Sequence, residues 1–186
     1  MTSQTRPTTA RTLPTTVRPA TTPLAAAAAK GAVAWSLLFG VFHFYWALGG
    51  SLGLGDGAQV EAGLSGGMLA YDLVVAVLCF VGAWVAYALG RAPQLPLPRW
   101  MFLTMAWTAA LALVARGGIG VVDDILRSTD VLAGGLSGMP VEDVYGEPHP
   151  SSYTMWSMRV VDGFFVLGGL LFATALRGYL RKTATS

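Results

Sequence analysis

Polar and apolar positions along this chain fall into long blocks rather than short alternations. No Asp, Glu, Lys or Arg lies between Gly31 and Gly55, and none between Leu73 and Gly90. Two shorter uncharged runs cover 100–115 and 163–176. A bilayer core about 30 Å thick is crossed by about 20 helical residues. The pattern therefore predicts four transmembrane helices, at about 32–51, 68–90, 100–120 and 153–176. The third and fourth runs would rise only about 24 and 21 Å on their uncharged residues, so each must carry charge inward to cross. Arg116 enters with the third, and Arg159 and Asp162 enter with the fourth. The competing reading makes one of these two a re-entrant or interfacial helix. The expected fold class is all-α, an integral membrane four-helix transmembrane bundle spanning 30–182.

Residues 1–29 lie outside this pattern. They are rich in Thr, Pro, Ala and Arg, lack aromatic residues and show no hydrophobic period, so a disordered tail is expected there. The basic tail followed by an apolar run also suggests a secretory signal, but the run is longer than the h-region of about 7–15 residues. An uncleaved first span is the preferred reading. Between the third and fourth spans, Val121, Val122, Ile125 and Leu126 interleave with Asp123, Asp124 and Arg127 at helical spacing. That predicts a short amphipathic helix lying on the membrane surface, followed by irregular chain over Gly138–Pro150.

Charge then orients the spans. The tail, the connector containing Arg91 and Arg99, and the C-terminal segment with Arg177, Arg181 and Lys182 contain basic residues and no acids. The other two connectors contain Asp56, Glu61, Asp123, Asp124, Asp130, Glu142, Asp143 and Glu147 against the single base Arg127. Short cytoplasmic segments collect Lys and Arg, so both termini are expected on the cytoplasmic side of a bacterial cell membrane. Trp35, Trp46, Trp100 and Tyr153 fall near the expected span ends, where interfacial aromatics concentrate. Ten Arg against two Lys, with abundant Ala and Gly, suggests a GC-rich bacterial genome.

Five ionisable residues fall within the expected spans: His43, Asp72, Arg116, Arg159 and Asp162. Counted from the basic end of each helix at about 1.5 Å per residue, all five lie about 20–28 Å up, at one level. Charges at such depth usually point into the bundle and pair. The expectation is a polar pocket near the outer face, with Asp72 and Asp162 pairing Arg116 and Arg159, and His43 and Trp46 in its wall. The bland alternative is that these residues snorkel to water or merely fix helix order. The small residues Gly163, Gly168 and Gly169 are expected to admit a neighbouring backbone to the fourth helix.

Composition excludes several other functions. Hydrophobic residues make up 54% and charged residues 12%, about half the charge of a soluble domain. No basic stripe with interleaved aromatics supports nucleic-acid binding. Cys79 is the single cysteine, so one chain forms no disulfide. His149 has no second fixed ligand nearby, so no metal site is expected, and no cofactor is assigned. One intramembrane His gives at most one axial haem ligand. Phosphate-loop, zinc-protease and dithiol motifs are absent from the sequence.

The string His43-Phe44-Tyr45-Trp46-Ala47-Leu48-Gly49-Gly50 closes the first span, and Arg116-Gly117-Gly118 closes the third. Together they resemble a family of small bacterial membrane proteins, domain of unknown function 3995, over about residues 31–176. The first string is the more specific. A proline expected before the second span in that family is missing here. The resemblance implies a four-helix membrane protein without an established activity, and directs interest to His43, Tyr45, Trp46 and Arg116. The preferred functional reading is a small non-enzymatic bundle, an accessory or scaffold protein. Its surroundings are the lipid bilayer and either a membrane protein partner or further copies of itself. The alternative is a membrane-embedded binding protein or enzyme for a small amphiphile, using the His/Asp/Arg pocket. Catalytic residues are unassigned in both.

Overall fold

The computed structural model describes residues 22–56, 65–91 and 97–184. Among these there are five helices and no strand: α1 (Pro23–Ala47), α2 (Gly66–Arg91), α3 (Arg99–Ser128), α4 (Val141–Tyr145) and α5 (Ser152–Ala184). All but the short α4 are long and apolar enough to cross a membrane. The chain is an all-α membrane bundle of four long helices.

α1 starts at Pro23, inside the stretch expected to be a tail. Thr22 caps it by accepting a hydrogen bond from the Ala25 amide at 3.4 Å, and proline occupies the first helical turn. Thr-Pro followed by an alanine run is a sound helix start. It was hidden by the low-complexity look of the segment. Ala25, Ala28, Ala29 and Ala32 are buried at helical spacing, so the alanine face belongs to the core. Residues 1–21, the rest of the expected tail, lie outside the described residues.

α3 and α5 are also longer than expected. At about 1.5 Å per residue they extend about 45 and 50 Å. α3 runs straight through Gly117, Gly118 and Gly120 to Ser128, so the expected separate surface helix is its last two turns. Trp35, expected at an interface, is buried because α1 begins so early that it falls mid-helix.

The helices pack by close approach of small residues. α1 lies antiparallel to α2, with Ala29 beside Gly90 and Gly40 beside Cys79. α1 is also antiparallel to α5, where Ala25 meets Gly178 and the Trp35 indole lies over Gly168. The Trp35 indole N–H donates to the Phe164 carbonyl at 2.8 Å, a carbonyl one helical turn before Gly168. On α3 and α5 the backbones meet at two points. A Cβ at Gly117 would lie 2.8 Å from the Val166 nitrogen, and one at Gly169 would lie 2.8 Å from the Val114 nitrogen and 2.9 Å from the Ala110 carbonyl. Of the expected contact glycines, Gly168 and Gly169 are contacts, while Gly163 faces open space. α2 and α3 hardly touch. The bundle is thus two antiparallel pairs, α1/α2 and α3/α5, joined along the α1/α5 seam.

At one end, Arg99 donates to the Thr183 hydroxyl at 3.0 Å, which sets the start of α3 beside the end of α5. With the α1 contacts above, this gathers Lys30, Arg91, Arg99, Arg177, Arg181 and Lys182 at one end of the bundle. The described connector acids lie at the other end.

Two adjacent glycines test the packing. Gly118 has open space around its missing Cβ, whereas Gly117 faces backbone. Gly117→Ala should destabilise the detergent-solubilised protein by roughly 1–3 kcal/mol through overpacking. Gly118→Ala should leave its thermal midpoint unchanged or slightly raised, as read by circular dichroism.

Candidate functional site

The buried polar residues sort by seam. On the α1/α2 seam, His43 Nδ1 lies 2.8 Å from Asp72 Oδ1, and both residues are buried, 4% and 2% exposed. The antiparallel packing brings them together about one turn beyond Gly40 on α1 and two turns beyond Cys79 on α2. With an ionised carboxylate as acceptor and a neutral ring, the bond would hold the proton on Nδ1 and leave the lone pair on Nε2. Nε2 is buried and has no hydrogen-bond partner among the described residues. Rings surround the imidazole: Phe39 at 4.6 Å, Trp46 at 4.9 Å and Tyr71 at 6.0 Å between centroids.

On the α3/α5 seam, Arg116 donates to Asp162 Oδ1 at 2.6 Å. The Asp162 carboxylate lies against Gly120, where any side chain would occupy its place. Nearer the acidic end, Arg159 Nε donates to both oxygens of Asp124, at 3.0 and 2.9 Å. The expected pairing of Asp72 with an arginine is replaced by a histidine, and Arg159 takes Asp124 rather than Asp162. Asp124 falls in the stretch expected to be a separate surface helix; as the continuation of α3 it lies directly across from α5.

Aromatic rings separate the two seams. Phe39 lies between them, 5.1 Å from Phe165 and 4.6 Å from His43, and the Arg116 guanidinium lies 5.2 Å above Phe165. The sequence-predicted residues therefore form a line of pairs, His43–Asp72, then rings, then Arg116–Asp162, with Arg159–Asp124 beyond.

Tyr45 and Trp46 have another task. The Trp46 indole donates to the Leu52 carbonyl at 2.8 Å, and the Tyr45 hydroxyl accepts from the Leu52 amide at 3.3 Å. They fold the chain after α1 back over its own end. Gly53 donates to the Tyr153 hydroxyl at 3.0 Å, and Asp56 to the Thr154 hydroxyl at 3.1 Å, which ties that turn to the start of α5.

The connector after α3 is organised by one side chain. Arg127 donates to Asp123 at 2.6 Å, to the Met139 and Gly134 carbonyls at 2.8 Å each, and to the Ser137 hydroxyl at 3.2 Å. Asp123 also accepts from the Leu136 amide at 2.6 Å. Tyr145, at the end of α4, is buried beneath this connector, and burial together with the Asp124 carboxylate pushes its phenol pKa up. Among the described residues, no three His, Cys, Asp or Glu side chains gather as a metal would require.

The family model described as "Protein of unknown function (DUF3995)" matches residues 36–172. The chain belongs to that family. The matched stretch of this DUF3995 protein holds all three polar pairs and the Arg127 connector. No curated protein and no solved structure matches the chain.

Arg127→Gln should free the connector while leaving the bundle intact. Limited proteolysis should cut within 129–140 at least several-fold faster than in the parent protein. The helical circular dichroism signal should be unchanged.

Proposed function

We propose that this DUF3995 protein is a membrane-embedded binding protein for a small amphiphile, with His43 as the atom-level recognition point. The observation that carries this reading is the free Nε2 of an imidazole already fixed by Asp72. A carboxylate on one ring nitrogen sets the tautomer and orients the other nitrogen, the arrangement that enzymes and metal sites use to aim a histidine. A polar atom left unpaired in an apolar surround costs about 1–3 kcal/mol, which a ligand that donates a hydrogen bond recovers. The residues around it are aromatic rings, so the complementary molecule is a largely apolar body with one hydroxyl or phenol. Asp72 acts through His43 and is a positioning residue.

The preponderance of Lys and Arg at one end supports an orientation with both termini cytoplasmic in a cell membrane. In this orientation the His43–Asp72 pair lies toward the outer leaflet, and ligand is taken from that side.

Two experiments test these readings. The first uses 4-nonylphenol and nonylbenzene as probes, titrated into detergent-solubilised protein and followed by tryptophan fluorescence. The phenol should bind about tenfold more tightly than the hydrocarbon, the value of one well-made hydrogen bond. His43→Phe should erase that preference, and Asp72→Asn should weaken it by releasing the tautomer. Equal affinity of the two probes for the parent protein rejects the reading. The second replaces Cys79 by Ser and introduces one cysteine at Ser137 or Thr183. A membrane-impermeant maleimide added to intact cells should label the first and spare the second; the reverse result overturns the orientation.

A further inference from the structure

A cleft of about 420 Å³ opens between α2 and α3, the neighbouring helices that hardly touch. Its floor is formed by α1 and α5 and its walls by α2 and α3. The lining is almost wholly apolar, with Phe172 on the floor, Val85 on the α2 wall and Met105 on the α3 wall. Its size falls in the range of pockets that hold a drug-sized molecule, about 300–1,000 Å³.

One polar atom stands out in it. Ser36 lines the cleft, is 1% exposed, and its hydroxyl has no hydrogen-bond partner among the described residues. A serine or threonine inside a helix usually satisfies itself on the carbonyl four residues back. Thr104, Thr174 and Thr183 do this, on Trp100, Leu170 and Tyr179 at 3.0, 2.8 and 3.2 Å. Ser36 does not bond to Ala32 in this way. Its hydroxyl is turned toward Gly82 on α2, where an added Cβ would lie 3.4 Å from Ser36 Oγ. The missing side chain at Gly82 leaves space beside a hydroxyl that has a proton to donate.

We propose that this cleft binds a neutral lipophile with a carbonyl oxygen, entering sideways from the bilayer, and that the Ser36 hydroxyl donates to that carbonyl. Ser36 sits at the middle of α1 (Pro23–Ala47). A carbonyl at that depth belongs to a molecule without a charged headgroup, such as a fatty acyl ester or a long-chain ketone. A headgroup would hold the carbonyls of an ordinary phospholipid at the interface. The inference goes beyond the proposed role of His43 and stands without it, because Ser36 and the cleft lie on a separate observation.

The test uses protein in nanodiscs and a lauric acid methyl ester carrying a photoactivatable diazirine on its chain. Unlabelled methyl laurate and tridecane serve as competitors. Mass spectrometry should place the crosslinks on cleft residues such as Leu78, Cys79, Met105 and Thr108. Methyl laurate should compete about tenfold better than tridecane, the ratio expected of one hydrogen bond in an apolar site. Ser36→Ala should keep the crosslinks but make the two competitors equal, and Gly82→Leu should abolish the crosslinks by filling the cleft from its α2 wall. The 4-nonylphenol preference at His43 should survive Ser36→Ala, which separates failure of this site from failure of the other. Crosslinks spread over the lipid-facing surface without competition overturn the inference. So do equal potencies of the two competitors in the parent protein, or an ester preference that persists in Ser36→Ala.

Discussion

Charge in hydrocarbon has to be paired, and that single constraint organises the acidic half of this protein. Each antiparallel helix pair is fastened near that end by an internal contact between ionisable groups: His43 with Asp72 for α1/α2, and Arg116 with Asp162 for α3/α5. Neither contact crosses from one pair to the other. The pairs are joined without charge: Trp35, Phe39, Phe164 and Phe165 meet along the α1/α5 seam, the Trp35 indole bonds the Phe164 carbonyl, and Gly53 and Asp56 bond Tyr153 and Thr154. Contacts between ionisable groups thus set register within a pair, while ring packing and neutral hydrogen bonds set how the pairs lie together.

Much of this was readable from residue order. Four apolar stretches and the separation of acidic from basic connectors both follow from spacing and composition. Which group pairs with which did not follow, because pairing depends on the rotation of each helix about its axis. Asp72 and Arg116 stand at matching depth, yet α2 turns Asp72 toward α1 and α3 turns Arg116 toward α5. The end of α3 was misjudged for another reason. A span sized to the bilayer ends near residue 120, but at Gly117 the small residue serves a close α5 backbone and the helix continues to Ser128. That continuation delivers Asp124 to Arg159.

Ser36 illustrates a limit of a different kind. As a serine in an apolar run it reads as a small packing residue. Its importance lies in a bond it fails to make and in an empty position on another helix, neither of which has a signature in local sequence. Phe39 is similar: nothing sets it apart from the other phenylalanines of α1, and its position between His43 and Phe165 comes only from the three-helix arrangement.

The near absence of contact between α2 and α3 has a bearing on how the molecule is made. Each helical hairpin carries its own polar fastening and its own small-residue seam, so each is a self-consistent unit as it leaves the insertion machinery. The second hairpin meets the first chiefly along the ring-lined face of α1 and at the turn that follows it. Severing the chain between Arg91 and Arg99 and producing the halves as separate polypeptides would therefore leave both with the information to find each other within the bilayer.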